Sequence, residues 1–259
     1  MFNISLLFQT EAWIIALVLF LAMMLSTWIG LRIGNYLRSR EKAKDLGNES
    51  ASLTGLLFFL LAFTFGMSGS RYDTRRQVVI EEANDIGTAI LRSDLYPPAE
   101  RELFRNDFKD YVEARISYYE AGANLQKIFQ SDSLSQVISA RIWKRAAELS
   151  HDPSNLAATQ QMIPAVNAMI DITTTRLAGE RARVPESILY MLFVIAIVSA
   201  FYGGYSAGRK GVIDWLVEAG FCMLVAAVVL FTLDLDRPRR GMINLDTPNE
   251  AIVALRKSF

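Results

Sequence analysis

The sequence predicts an all-α protein in which four transmembrane helices carry a helical-bundle insert between the second and the third helix. Four stretches are long and apolar enough to cross a lipid bilayer, whose hydrocarbon core needs about 20 residues of α-helix. The polar residues between the second and third stretches repeat their apolar side chains with a helical period. No stretch alternates apolar and polar residues as a half-buried strand would.

The composition excludes two broad classes of protein. Of the 259 residues, 52% are hydrophobic, so the chain has ample apolar surface to bury and is not predicted to be disordered. Its 27 basic residues are balanced by 27 acidic ones, whereas a chain that binds nucleic acid normally carries a clustered basic excess. The predicted partner is therefore the lipid bilayer and not a nucleic acid.

The four predicted spans cover residues 12–34, 51–70, 187–208 and 213–233. Arg71 ends the second span, and Asp234 closes the fourth. Glu218 places a charge one turn inside the fourth span, where we expect it to snorkel to the interface. A cleaved signal peptide is disfavoured for the first span, because no basic residue precedes it and its apolar run is too long.

The predicted insert covers residues 71–183 and contains about four helices. The apolar stripe of the first helix predicts that it continues out of the second span, and Pro97-Pro98 ends it. The second stripe, over residues 104–118, is interrupted by one polar residue, Arg115. Helices of this length favour an antiparallel bundle.

Two local features are predicted for the later helices of the insert. The third helix is expected to begin at Asp132 or Ser133, which have the side chains of N-cap residues. The fourth is expected over residues 156–177, with a kink at Pro164. A tail, residues 234–259, follows the last span and is predicted to turn at Pro238 and Gly241 and pack back on the protein.

The sidedness of the spans is not decided by the positive-inside rule, because basic residues flank both membrane faces. One face carries the short-loop residues Arg38, Arg40, Lys42, Lys44, Arg209 and Lys210, and the other carries a comparable set of arginines that begins at Arg71.

The sequence contains none of the common catalytic or nucleotide-binding motifs. The sequence has no P-loop, dinucleotide fingerprint, zinc-protease motif or nucleophile elbow. His151 is the one histidine and Cys222 the one cysteine, so neither a histidine-based triad nor a metal cluster is expected. The sequence therefore predicts no enzyme, no cofactor and no metal.

The most unusual segment leaves the second span with Arg71, Tyr72, Arg75 and Arg76 and then reaches Glu82 and Asn84. One interpretation is an interfacial anchor, in which arginine lies at the phosphate level and tyrosine at the interface. The other is a polar ring in an oligomer, where cations at the mouth of a pore attract anions.

A second charged segment leaves the fourth span on the same membrane face. It contains Asp234, Asp236 and Arg237. We expect the two aspartates to reach the arginines that follow the second span and to hold the two helix ends together.

These residues resemble the bestrophin-like domain family of prokaryotic multi-pass membrane proteins. The resemblance lies in Arg71-Tyr72-Asp73, Arg75-Arg76 and Glu82-Ala83-Asn84, in the segment 167–176 with Val184-Pro185, and in the segment 234–241. It implies a bacterial inner-membrane protein of several spans.

A more remote likeness links this family to the bestrophins, which are pentameric anion channels. That likeness implies a homo-oligomer, a path for small anions and a cytoplasmic insert 71–183, with Tyr72 and Arg75 at the juncture between the second span and the polar helix. The chain departs from bestrophins in lacking an obvious calcium clasp and a matching aromatic neck.

Three hypotheses of function follow. The first is an oligomeric ion channel for anions, in which Arg71, Arg75 and Arg76 select charge and Glu82 and Asn84 line the path. The second is a membrane-anchored helical-bundle sensor or interaction module that works through a partner protein. The third, an enzyme, ranks last because only pairs of acidic residues on a solvated helix support it.

Overall fold

The computed structural model is all-α, which confirms the predicted fold class, and it describes residues 10–39, 47–237, 239, 241–243 and 246–259. The described α-helices are α1 (Ala12–Arg38), α2 (Gly47–Ser93), α3 (Pro98–Glu120), α4 (Leu125–Leu149), α5 (Leu156–Arg181), α6 (Glu186–Lys210), α7 (Trp215–Leu235) and α8 (Asp246–Ala254).

The chain forms two compact units. The first, here called the span unit, comprises Met1–Arg71 and Arg183–Arg237. The second, the insert unit, comprises Tyr72–Ala182 and Pro238–Phe259. Helix α2 contributes residues to both, because it continues without a break from the predicted second span into the predicted insert.

Four of the described helices contain a segment long and apolar enough to cross a membrane: α1, α2, α6 and α7. Local chemistry sets the turn between α6 and α7. Gly211 ends α6 with a φ of 79°, a left-handed conformation that glycine adopts readily. Asp214 then caps α7, because its carboxylate accepts hydrogen bonds from the backbone N–H groups of Leu216 and Val217.

Glycines let α1 and α6 approach each other closely within the span unit. A Cβ atom at Gly204 or Gly208 would collide with the backbone carbonyl of Thr27 or Leu31 on α1. The same holds in the other direction for Gly30 and Gly34 against α6. The two helices therefore pack backbone against backbone, which is the arrangement that small residues four apart permit in a membrane.

The insert unit has its own hydrophobic core, made by one face each of α2, α3, α4 and α5. Its fully buried members include Ile86, Phe104, Ile142 and Met162. Helix α4 begins at Leu125, two turns before the start expected at Asp132 or Ser133. The reason is that the side chain of Asn124 caps the helix by accepting a hydrogen bond from the N–H of Lys127 at 3.1 Å. Helix α5 runs through Pro164.

The tail returns to the insert unit. Ile252 of α8 is fully buried in the core of that unit, and Leu255 lies beside Gly87 of α2. Pro238 of the predicted turn lies outside the described residues, as do the loop residues Arg40, Lys42 and Lys44.

Candidate functional site

Helix α2 distributes the residues of the arginine-rich segment around its circumference. An α-helix turns by about 100° per residue, so neighbours in sequence face different directions. Arg75 and Glu82 are buried, Arg71 and Tyr72 are half-buried, and Arg76 and Asn84 are exposed. The segment predicted as one site is therefore divided among several environments.

Arg71 belongs to a polar cluster in the span unit. Its guanidinium lies 4.0 Å from a carboxylate oxygen of Asp236, which is buried at the end of α7. The other oxygen of Asp236 accepts a hydrogen bond from the N–H of Val184 at 3.0 Å, and its backbone carbonyl accepts one from Arg183 at 2.9 Å. Asp234 and Arg237 are also buried at this helix end. Asp236 thus joins the end of α7 to Arg71 of α2 and to the chain that enters α6.

Arg75 caps a helix within the insert unit. Its Nε donates to the carbonyl of Gly179 at 3.1 Å, and its Nη2 donates to the carbonyl of Ala182 at 2.9 Å. These carbonyls lie at the end of α5, where the last turn of a helix has no intrahelical donors. Only 4% of Arg75 is exposed, so its positive charge interacts with the carbonyl groups at the end of α5 and not with solvent.

Glu82 lies at the centre of a buried charge cluster in the insert unit. Its carboxylate accepts hydrogen bonds from Arg115 Nε at 2.5 Å, from Arg176 Nη1 at 2.6 Å and from the hydroxyl of Tyr119 at 3.0 Å. Glu82 is completely inaccessible, and both arginines are buried. One carboxylate thereby connects α2, α3 and α5.

Glu180 extends this cluster to the tail. It accepts hydrogen bonds from Arg176 at 3.2 Å, from Arg239 at 2.9 and 3.2 Å, and from the hydroxyl of Tyr118 at 3.2 Å. Arg239 also donates to the backbone carbonyls of Tyr118 and Gly122. The cluster therefore connects Arg239, in the segment that follows the fourth span, to α3 and α5.

Two tyrosine rings shield the guanidinium groups of the cluster. The Cζ atom of Arg176 lies 3.7 Å from the ring centroid of Tyr119. Arg115 and Arg239 approach the ring of Tyr118 at 4.5 and 4.4 Å. Such cation–π contacts gain strength when the cation is removed from water, as it is here.

The electrostatics of the cluster favour the charged forms of both carboxyl groups. Burial by itself raises the pKa of Glu82, but the charges of Arg115 and Arg176 outweigh it and leave that pKa below its ordinary value. The pKa of Glu180 is likewise lowered, because Arg176 and Arg239 outweigh the effect of its burial. The cluster is fully ionised at neutral pH and its donors and acceptors are paired, so it serves to hold the bundle together.

Sequence reasoning named Glu82 but not its partners Arg115, Arg176, Glu180 and Arg239. A signal for one of them was present, since Arg115 interrupts an otherwise apolar stripe. A charge at such a position requires a buried counter-charge. Nothing in the sequence says which acid supplies it, because Glu82 is 33 residues away in the chain.

The apolar part of α2 exposes three glycines. The glycines Gly55, Gly66 and Gly69 all have open space where a side chain would begin, and all lie on the side of α2 opposite its buried residues Leu57 and Leu61. Large apolar side chains are exposed on α2 as well, such as Phe58 and Phe63, as they are on α1 and α7, and Gly220 of α7 is also open.

Comparison with known proteins gives one family match. The sequence model of the bestrophin-like domain matches residues 14–247, a range that contains both polar clusters and the exposed face of α2. Searches among curated proteins and among solved structures find no match.

Proposed function

The chain belongs to the bestrophin-like domain family, and from that premise we propose that it forms a homo-oligomeric, non-enzymatic ion channel whose path is lined by the exposed face of α2. Four long apolar helices and the family together make it a membrane protein. In the same proposal the membrane is the bacterial inner membrane and the insert is cytoplasmic.

The observation that carries the proposal is the set of open glycines on α2. A glycine inside a helix destabilises it by roughly 1 kcal/mol relative to alanine, so it normally has a packing reason. The glycines of α1 and α6 have one, because another backbone occupies the space beside them. Gly55, Gly66 and Gly69 have open space beside them in one copy of the chain. A narrow path or a second copy supplies the missing reason.

The residues on this side of α2 also suit a path. Phe59, Ala62, Gly66 and Ser70 are all exposed and follow one another at intervals of three, four and four, which places them on one side of α2. Phe59 is the largest of them and is 66% exposed. A ring of such side chains, one from each copy, forms a hydrophobic constriction between segments of small residues.

The test is ion flux through the purified protein. The chain is reconstituted into liposomes, its oligomeric state is measured by light scattering in detergent, and the efflux of chloride and of potassium is recorded separately. We expect an oligomer and flux of at least one ion above that of empty vesicles. A folded oligomer whose flux of both ions equals that of empty vesicles would refute the proposal.

A matched pair of variants tests the lining. Gly66→Leu adds a large side chain to the exposed face of α2, and Gly220→Leu adds the same side chain at an open position of α7. We expect Gly66→Leu to reduce flux strongly and Gly220→Leu to leave it near that of the parent. Equal effects of the two variants would show that α2 does not line the path.

A second candidate function, an interaction module that works through a partner, is favoured by the surface of α4. Leu125, Phe129 and Val137 are 71%, 74% and 66% exposed on a helix that lies outside the apolar spans. Exposed apolar residues grouped in this way mark interaction surfaces. Co-purification from native membranes, with the variant Phe129→Ser as control, tests this. A specific partner that is lost in the variant supports it.

A further inference from the structure

Helix α2 continues past the apolar segment with a polar exposed face. Asp73, Gln77, Glu81, Asn84 and Thr88 follow one another at intervals of four, four, three and four residues, so they lie on one side of the helix. All five are exposed within the insert unit. The interval pattern is the one that Phe59 to Ser70 follow earlier on the same helix. Two of these five residues are acidic and none is basic.

Four of the nearby arginines do not offset these acids on that face. Arg75 donates to Gly179 and Ala182 at the end of α5 and is buried. Arg71 lies within ion-pair distance of Asp236. Arg115 and Arg176 are buried around Glu82.

Arg76 is the arginine of this segment that stays exposed. At about 100° per residue it points roughly 80° away from Asn84 and 100° away from Gln77. It lies about 60° from Asp73, three residues after it, and therefore borders the polar face on that side. Asp73 and Glu81 lie at the two edges of the face, about 80° apart, so these two acids and Arg76 together leave a net excess of one negative charge.

We infer that Asp73 and Glu81 determine the charge specificity of the path and make it prefer small monovalent cations to anions. This inference rests on the proposed function, since it assumes that the exposed face of α2 lines an ion path. Each copy in a homo-oligomer contributes one Asp73 and one Glu81, so the two positions become rings of negative charge. Such rings raise the local concentration of cations and lower that of anions.

Of the three arginines that suggested anions in the sequence, Arg71 and Arg75 are held by contacts inside the protein, and Arg76 remains exposed. The sequence of this segment therefore predicts a preference for anions, whereas its exposed charges in the structure favour cations. Every arginine near the membrane is visible in the sequence. An ion in the path interacts mainly with the charges that remain exposed to it.

The experiment measures the reversal potential of the full-length oligomer in planar bilayers under a potassium chloride gradient. We expect a reversal potential on the potassium side, with potassium favoured over chloride on the order of tenfold. The double variant Asp73→Asn with Glu81→Gln is expected to remove most of this preference. Glu102→Gln neutralises an exposed acid on α3 and is expected to leave the preference unchanged.

The outcomes separate this inference from the function on which it rests. A reversal potential on the chloride side overturns the inference and leaves the ion channel standing. A preference for potassium that the double variant does not reduce overturns the assignment to Asp73 and Glu81. A folded oligomer with no conductance overturns the channel itself and the inference with it.

Discussion

Glu82 illustrates at the scale of a residue how a charge inside an apolar stripe acquires its role. The side chain is surrounded by apolar neighbours on α2, and removing a carboxylate from water is unfavourable unless cations compensate it. Arg115 and Arg176 provide that compensation from two other helices, and Tyr119 adds a third hydrogen bond. Because the three donors come from two helices, α3 and α5, the ion cluster specifies which faces of these helices meet α2.

Neutralising Glu82 is expected to destabilise the insert unit strongly. Glu82→Gln removes the carboxylate that pairs with both buried guanidinium groups and leaves Arg176 with Glu180 and Arg115 with Asp132 at 3.9 Å. Breaking a buried ion pair on one side costs about 3–5 kcal/mol. Thermal unfolding of the full chain in detergent, followed by circular dichroism, measures the loss. Glu81→Gln, at the exposed neighbouring position, is the control and should change stability by less than about 0.5 kcal/mol. Equal melting temperatures for the two variants would contradict the structural role of Glu82.

The same cluster predicts a dependence of stability on pH. The folded-state pKa values of Glu82 and Glu180 lie below the ordinary value of 4.5, so both carboxylates stabilise the fold fully above that value. This contribution is lost as the pH falls below 4.5 towards the lowered pKa values. We expect the melting temperature to fall in that acidic range and to fall less steeply in Glu82→Gln. A parallel decline in both proteins would assign the acid sensitivity to other groups.

At the scale of an element, glycine has two different uses in the span unit. In α1 and α6 it removes side chains so that two backbones touch, and the space beside each glycine is filled. In α2 the space beside Gly55, Gly66 and Gly69 is open. The sequence shows small residues in both cases, and only the position of the neighbouring helix distinguishes them.

The close contact between α1 and α6 predicts a large difference between two glycine variants. Gly204→Leu drives a side chain into the carbonyl of Thr27, and overpacking of this kind typically costs about 1–3 kcal/mol. Gly220→Ala on α7 meets open space and should change stability by no more than about 1 kcal/mol, towards higher stability. Thermal unfolding in detergent checks both variants. Tolerance of leucine at position 204 would show that the two backbones are not in contact.

At the scale of the whole molecule, the insert unit is assembled from two separate chain segments. The tail after the fourth span contributes Ile252 to the core and Arg239 to the ion cluster. Its last turn adds an exposed ion pair between Arg256 and Glu113, with both nitrogen–oxygen distances at 2.7 Å. The tail is thus a structural part of the unit that 72–182 begins.

Truncating the tail's buried side chain is expected to destabilise the insert unit. Ile252→Ala removes a fully buried side chain and should cost about 2–5 kcal/mol. Val253→Ala, at the next and exposed position, is the control and should have an effect of less than about 1 kcal/mol. Chemical denaturation of the full chain compares the two. Similar losses would show that α8 does not complete the core.

Membership of one unit also predicts that the tail and the insert lie on the same side of the membrane. Cys222 is buried, so single cysteines can be introduced against a low background. His151→Cys in the insert and Lys257→Cys in the tail should react with a membrane-impermeant maleimide from the same side. Val212→Cys, in the turn between α6 and α7, should react from the other side. Labelling of positions 151 and 257 from opposite sides would exclude a shared unit.

The sequence alone established the all-α class and the four apolar helices, because hydrophobicity and helical period are local properties that every window of the chain displays. It also indicated that α2 continues out of the membrane, since no breaker separates Arg71 from Pro97. The start of α4 was misplaced because two polar side chains at 132 and 133 resemble a cap as well as Asn124 does.

The tertiary structure decided which charged side chains remain exposed and can interact with an ion. Pairing of Glu82 with Arg115 and Arg176, and of Arg75 with the end of α5, joins residues 33 to 107 positions apart, and no local pattern encodes such distances. Whether an arginine faces an ion or a buried carbonyl depends on what packs beside it. Folding thus turned a segment rich in arginine into a helix whose exposed residues include two acids, Asp73 and Glu81, and one arginine, Arg76.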